Sequence, residues 1–395
     1  MRIDLDELGI GRGGHLLVAH ALRGVEPGAT LEVTGRDPMF ALHLETWCRT
    51  QGHGCAPGGG DDADTLVVTR GTADSARLRG ASRAGDVTAA HLEARPPAEW
   101  GLAARGALVE AGGPIPHFAL DERDHVWADI VPRLYAQAVS AQWDPATAVP
   151  WDAPIDHPDE VEDAVVQVMT YLIENEQVAL MVPARFLGTV HPYFREVVQL
   201  LAVQVADEAR HVEVFTRRAR LTGRELGLSS IGGRASLATL LDEPDFSVSA
   251  LLLSVLGEGT FLDLLAFLMT YGPDPVTQAV ARLALADEAR HVAFGQAHLE
   301  HRLAVEPQLR TTLRAAVERR HDALRDTAGL NDLVFDALVV LAAGAWTPEA
   351  IAIGHAHVME LQREMAEGRT RRLGRLGFTA EEAAALAALH TRNFM

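Results

Sequence analysis

From residue 123 onward, apolar residues recur at three- and four-residue steps, broken only by short polar or proline-bearing segments. This is the helical period, because 3.6 residues per turn return every third or fourth side chain to one face. It predicts helices over 124–142, 158–181, 191–223, 247–271, 275–305, 308–328, 330–343 and 348–372, with Asp156 or His157 near the cap of the second. Strand signals are nearly absent, so this part reads as an all-α domain of about 270 residues. The N-terminal seventy residues have another rhythm. Segments 2–5, 29–34 and 65–69 read as strands, the second alternating in period two. Segments 13–22, closed by Gly24, and 37–51, opened by Asp37-Pro38, read as helices. The expected fold is therefore mainly α: a βαβ-type α+β domain at 1–70, a connector at 71–122, a helical bundle at 123–375 and a tail at 376–395. Residues 51–62 read as a Gly-rich loop.

The bundle carries an internal repeat. The heptapeptide Ala-Asp-Glu-Ala-Arg-His-Val occurs at 206–212 and again at 286–292, eighty residues apart. Each copy lies in a long helical pattern that follows a Pro-containing turn, His191-Pro192 or Asp274-Pro275, and a preceding helix with a solitary acid. A repeated helix–turn–helix is the plan of a four-helix bundle made from two hairpins. Within each copy a Glu and a His stand three apart, Glu208 with His211 and Glu288 with His291, so a helix presents both on one face.

In the second half the solitary acid is Glu258, set among Leu251, Val255, Leu262 and Leu265 and thirty residues before Glu288. Its neighbours Gly257 and Gly259 each cost about 1 kcal/mol in a helix relative to Ala, which suggests that room is needed beside the carboxylate. In the first half Glu174 and Glu176 compete. The stripe Val165, Met169, Leu172, Glu176, Leu180 keeps the helical period and favours Glu176; the stripe through Glu174 includes Gln167 and Thr170 and is more polar. Glu176 precedes Glu208 by thirty-two residues, close to the spacing in the second half.

Glu176, Glu208, His211, Glu258, Glu288 and His291 thus make four carboxylates and two imidazoles, the donor set for two adjacent iron or manganese ions. Without metal such carboxylates repel one another and some must take up protons. Asp207 and Asp287, each just before a ligand Glu, are placed to accept the remaining imidazole N–H from the opposite half, with Arg210 and Arg290 either pairing to them or capping the site from outside. The competing reading is a solvated, charged helix face. The apolar stripe in register with the motif (Leu201, Val205, Val212 and Phe215, then Leu285 and Val292) opposes it.

Composition narrows the partners. A net charge of −19 argues against a nucleic-acid backbone or an anionic membrane surface. Two cysteines, Cys48 and Cys55, make no disulfide framework and fit a reducing cytoplasm. The apolar stretch 251–269, interrupted by Glu258 and Asp263, reads as a buried bundle helix rather than a membrane span. The Gly-rich runs 11–14 and 58–60 lack the strand–helix setting of a dinucleotide fingerprint.

The repeated Asp-Glu-x-x-His helices resemble the ferritin-like di-iron carboxylate superfamily over roughly 125–370, and its oxygenase and oxidase branches more than the ferritins. That resemblance implies a ferritin-like bundle holding two Fe ions, with Mn or mixed Mn/Fe as variants, and O2 as co-substrate. It gives Glu176, Glu208, Glu258 and Glu288 the catalytic role. The implied reaction is oxidation of a small organic substrate by hydroxylation, N-oxygenation, desaturation or oxidative cleavage. Arylamine N-oxygenases of the superfamily carry a further His one turn before the second ligand Glu; here that position is Ala284. The expected partners are the small-molecule substrate, an external electron donor or reductase, and a second copy of the chain in a homodimer. A non-enzymatic metal store or redox protein with an adaptor domain is the alternative, and a hydrolytic di-metal site a weaker one. Residues 1–70 are similar to the TusA-like sulfur-carrier fold, through Leu5-Asp-Glu-Leu-Gly, Gly28-Ala-Thr-Leu-Glu-Val, Arg36-Asp-Pro, Trp47 and Gly52-His53. The family's Cys-Pro pair is replaced by the segment Gly9–His15, so the resemblance implies no persulfide carriage at the usual position.

Other candidates are weaker. His117, His298, His301, His321, His355 and His357 are scattered, and His355 and His357 face different sides of a helix. Tyr171 is a packing residue or a redox-active phenol; Trp127, Trp143 and Trp151 anchor a loop or line a channel.

Overall fold

A computed structural model describes residues 1–58, 65–72, 79–324 and 332–390. The chain divides into two compact units: Met1–Leu92 with Pro96–His117, and Glu93–Arg95 with the rest of the chain from Phe118.

The smaller unit is α+β. Strands β1 (Arg2–Asp4), β2 (Thr30–Thr34), β3 (Gly54–Pro57) and β4 (Thr65–Thr69) form one sheet in the order β1-β2-β4-β3. β1 and β2 pair in parallel across helix α1 (Gly14–Arg23), while β4 runs antiparallel to both its neighbours. α1 and helix α2 (Phe40–Gln51) bury Val18, Leu22, Phe40, Leu44 and Cys48 with Leu31, Val33, Leu66 and Val68 of the sheet. Two local expectations change. Asp37-Pro38 forms the turn before α2, where Asp37 accepts from the amide of Met39 at 2.8 Å, and the helix starts at Phe40. Part of the Gly-rich loop is strand β3, which has no β-branched residue and exists through its pairing with Val67 and Val68. Residues 59 and 60 of the run 58–60 lie outside the described residues. The connector adds a two-stranded pair, β5 (Ser82–Arg83) with β6 (Leu108–Val109).

The larger unit is a helical bundle. Two long hairpins build it: α4 (Asp159–Leu187) with α5 (Arg195–Ala219), and α7 (Phe246–Tyr271) with α8 (Pro275–Val305). Before them, α3 (Val131–Ser140) packs on α5 and α8. Between the hairpins α6 (Ile231–Leu241) lies on α4, an element the periodicity missed because its mixed Gly and Ser content gives it little amphipathic contrast. After them come α9 (Leu309–Leu324), α10 (Asp332–Ala343), α11 (Pro348–Arg375) and α12 (Ala380–His390). The segment expected to be a tail therefore contains α12, which buries Ala383, Leu386 and Ala387 against α9 and α11. The expected limits at 328 and 330 fall outside the described residues.

α4 runs on past Pro183 to Leu187, beyond its expected end. The proline removes only the bond to the Ala179 carbonyl, and buried Val182 and Phe186 keep the last turn packed. The turn Asp274-Pro275 behaves as read, with Asp274 accepting from the Thr277 amide at 2.8 Å. At His191-Pro192 a 3₁₀ turn intervenes, and α5 starts at Arg195. α7 is long and apolar enough to cross a membrane, but 83% of its apolar window is buried inside the bundle.

The ends of the two hairpins are joined by a polar cluster that the sequence reading did not find. Arg218 on α5 is fully buried. It donates to both oxygens of Glu162 at 2.8 Å, to Asp274 at 2.7 Å and to Thr277 at 2.8 Å. Burial raises both carboxyls, but Arg218 outweighs it and holds Glu162 and Asp274 below the usual range.

Candidate metal centre

The four hairpin helices each bring their predicted acid to the bundle axis. Glu176, Glu208, His211 and Glu288 offer ligand atoms all within 4.8 Å of one another, and so do Glu208, Glu258, Glu288 and His291. All six residues are buried. Glu208 and Glu288 belong to both groups, so the set is two adjoining sites sharing two carboxylates. Glu174 is only half-buried and belongs to neither group.

The imidazoles point as ligands would. His211 Nδ1 lies 3.2 Å from Glu208, 3.3 Å from Glu288 and 3.4 Å from Glu176. His291 Nδ1 lies 2.9 Å from Glu208 and 3.4 Å from Glu288. Each Nε2 is held from the other hairpin, His211 by Asp287 at 3.2 Å and His291 by Asp207 at 3.3 Å. The crossed pairing anticipated from the heptapeptides is present. Arg210 and Arg290 each contact both aspartates, the contacts to the opposite hairpin being 3.3 Å. Two further donors come from just past the end of α3, Gln142 Nε2 to Asp207 at 3.0 Å and Trp143 Nε1 to Asp287 at 2.8 Å; Trp143 is expected from the sequence to anchor a loop or line a channel, and its bond to Asp287 is not foreseen there. Arg210 lies over the Trp143 ring at 5.1 Å. Gln204, one turn before Glu208, donates to Glu258 at 3.2 Å. A lone Gln and Trp in a loop carry no periodic signal that could have marked them.

Electrostatics describe a site short of positive charge. Burial, then the carboxylates of Glu208 and Glu288, push Glu176 well above the usual range; burial and Glu288 do the same to Glu258. Burial acts likewise on Glu208, but His291 and the hydrogen bonds of Glu176 and His211 outweigh it and hold it low. Burial lowers both imidazoles, yet Asp287, Glu176 and Glu208 raise His211 far above its ordinary value, and Glu208, Glu288 and Asp207 raise His291. The four upward shifts all favour extra positive charge in the cluster, which divalent ions would also supply. Several atoms aimed into the site also lack a hydrogen-bond partner: Glu176 Oε1, Glu208 Oε1, Glu258 Oε2 and both oxygens of Glu288. Buried polar atoms are seldom left so, and this donor set fits two hard or borderline cations.

Glu258 closes a nine-residue π-helical segment, Ala250–Glu258, within α7. The Gly259 amide reaches back five residues to Ser254 O, and Arg372 of α11 donates to Val255 O at 2.8 Å. Wide turns of this kind are rare and cluster at functional sites. The glycines have separate reasons. Gly257 lines the cavity described next, whereas a Cβ at Gly259 would sit 2.4 Å from Arg372 Nε. Gly295, one turn beyond His291, lets α8 approach this segment; a Cβ there would lie 2.5 Å from Ser254 Cβ.

A small, partly open cavity lies beside the carboxylates, lined by Asn175, Leu237, Leu240, Leu253 and Phe261 together with Glu176, Glu258 and Glu288. A second small cavity lies beyond Leu253 between Phe186, Phe246, Phe294 and Gln204.

The other candidates stand apart from the centre. His298 is buried between Ser247 Oγ at 2.9 Å and Trp127 O at 3.0 Å, and burial pulls it down to about 3. His301 pairs with Asp124 at 3.0 Å; His355 packs against Phe335 and His357 stacks on Tyr271. Trp151 donates to Pro145 O and lies under Arg217. In the smaller unit Cys48 and Cys55 are free thiols, the first buried and the second half-buried.

No known family matches this sequence, and no curated protein does. Among solved structures, an R2-like ligand-binding oxidase from Sulfolobus acidocaldarius shares 14% identity over 65% of this chain and 94% of its own, with a TM-score of 0.43. A variant R2-like ligand-binding oxidase with an aerobically reconstituted Fe/Fe cofactor gives 14% identity over 60% and 92%, at 0.44. Another with an anaerobically reconstituted Mn/Fe cofactor gives 14% over 60% and 93%, also at 0.44. Overlaps at this level carry no chemistry across to this chain.

Proposed function

We propose that this chain is a non-haem di-metal oxidoreductase that activates O2 to oxidise a small organic substrate. One observation carries the reading: two adjoining four-residue groups able to hold metal and sharing Glu208 and Glu288, with a mainly apolar cavity that Glu176, Glu258 and Glu288 line. Glu176 and His211 would hold one ion, Glu258 and His291 the other, with Glu208 and Glu288 between them. Iron in both positions fits the donors, as does manganese in one or both. When bound, the metal pair supplies the redox chemistry for reducing O2. The chain's own residues do the rest. Asp287 and Asp207 fix the tautomer and orientation of His211 and His291, leaving Nδ1 free to ligate. Gln204 restrains Glu258, and Leu237, Leu240 and Phe261 keep the open side apolar and poor in water. A separate donor returns the electrons.

Storage is the second reading, and the cavity weighs against it: a store needs no apolar space lined by the candidate ligand carboxylates. The test is anaerobic loading with Fe²⁺ followed by stopped-flow mixing with O2. Two ions per chain and an optical transient are expected. A protein that takes up no iron, or tightly holds zinc alone, defeats the proposal.

A further inference from the structure

Among the described residues that line the cavity beside the carboxylates, Asn175 of α4 alone is neither apolar nor a candidate ligand. It is 8% exposed and stands in mid-helix, immediately before Glu176. On local grounds Asn is a poor choice for this position. Its side chain competes for backbone groups, and burying an amide short of partners is costly. A Leu of nearly the same shape would suit Leu237, Leu240, Leu253 and Phe261 better.

The hydrogen bonds show which half of the carboxamide is spare. Nδ2 donates to Tyr171 O at 2.7 Å, one turn back on the same helix, and this bond orients the side chain. Oδ1 accepts no hydrogen bond among the described residues, although Asn175 lines the cavity. The polar atom left to the cavity is therefore an acceptor. The carboxylate oxygens around the same space are acceptors too, but they are the atoms that metal ions would take. Asn175 belongs to neither ligand group, so its oxygen stays available when the centre is filled.

We propose that Asn175 binds the substrate, and that the substrate is an apolar molecule carrying a hydroxyl group that donates to Asn175 Oδ1. A group that only accepts, such as a carboxylate or an ether, would set oxygen against oxygen. An ammonium would lose its hydration among the leucines and Phe261. The cavity is small and partly open, so it receives the hydroxyl-bearing end of the molecule. Asn175 and Glu176 are neighbours on one helix, and a hydroxyl held by the first lies beside the centre. The proposal rests on the oxidase reading in taking this cavity as the substrate's.

The test measures binding without turnover. The full chain, loaded with Zn²⁺ or metal-free if it takes none, is titrated with 1-butanol and with its isomer methyl propyl ether, which has the same atoms but no O–H. Methyl NMR of Leu237, Leu240 and Leu253 reports entry into this cavity. The alcohol should bind about fivefold more tightly than the ether, and Asn175→Leu should erase that preference. Equal affinities in the parent, or no binding of either probe, would overturn the proposal. So would a preference that survives Asn175→Leu, because the hydroxyl would then sit on the metals or elsewhere. Should Asn175→Leu fail to fold, as judged by circular dichroism, Gly257→Ala serves instead. A Cβ at Gly257 meets only Leu252 O, at 3.3 Å, and narrows the cavity, so both probes should weaken about fourfold. Unchanged affinities in that variant would place the probes elsewhere and overturn the assignment. An alcohol preference that depends on Asn175, in a protein that never consumes O2, would defeat the oxidase reading and leave the hydroxyl site standing.

Discussion

The crossed support of the imidazoles makes a specific prediction. Asp287 lies on α8 but holds His211 on α5, and His211 belongs to the ligand group of Glu176. Asp207 lies on α5 but holds His291 on α8, in the group of Glu258. Asp287→Asn should therefore weaken the ion bound through α5, and Asp207→Asn the ion bound through α8. Replacing the carboxylate with an amide removes the negative charge that stabilises the imidazole N–H and lets an NH2 group face it. It also leaves Arg210 and Arg290 with one anion instead of two. Losing such an outer partner costs about 10- to 100-fold in metal affinity, or about 1.4 to 2.7 kcal/mol. Anaerobic Mn²⁺ titration against a fluorescent chelator would resolve it as one weakened step and one retained step. Electron paramagnetic resonance of singly loaded protein, combined with His211→Ala and His291→Ala, would assign each step. In Asp287→Asn the weakened step should be the one that His211→Ala abolishes. If it is instead the one abolished by His291→Ala, or if both steps weaken equally, the crossed-support reasoning fails.

Further outcomes follow from other parts of the structure. Glu258→Ala should abolish O2 consumption by the reduced iron form, and retained turnover would remove Glu258 from the centre. Arg218→Met should destabilise the fold by about 3–5 kcal/mol at neutral pH, because it strands Glu162 and Asp274 in the interior. Those two carboxyls have depressed folded-state pKa values, so their contribution is present above about pH 4 and is lost as pH falls through the folded values. Chemical denaturation at pH 7 and pH 3 should show a large loss in the parent and a smaller one in Arg218→Met; parallel losses would refute this. Gly259→Ala should cost about 1–3 kcal/mol by displacing Arg372 from Val255 O, whereas an unchanged melting temperature would show that the guanidinium yields freely.

Much of the centre was legible in the chain because its information is local and periodic. A Glu and a His three apart in an apolar stripe share a face in any helix, and an acid that keeps the stripe's register, as Glu176 does and Glu174 does not, must turn inward with it. The repeat then implied two hairpins and so a four-helix arrangement. Strand β4 and the α1–β2 crossover were similarly plain. Elements without a period of their own were not: α6, α12 and strand β3 exist because something else packs or pairs against them.

What only the tertiary structure decided are the relations across elements. That Glu208 and Glu288 serve both ligand groups depends on the distance between two helices eighty residues apart in sequence, which no local pattern encodes. The same holds for Trp143 and Gln142 reaching the two aspartates, for Arg372 supporting the wide turns before Glu258, and for Arg218 joining the hairpin ends. Arg320 shows the reason most clearly. In the chain it is one arginine in Glu-Arg-Arg-His, indistinguishable from a solvated residue; packing α9 against α6 buries it and gives it only neutral acceptors among the described residues. The sequence by itself determines which faces turn inward, and only the packing of those faces determines which charges meet a partner there.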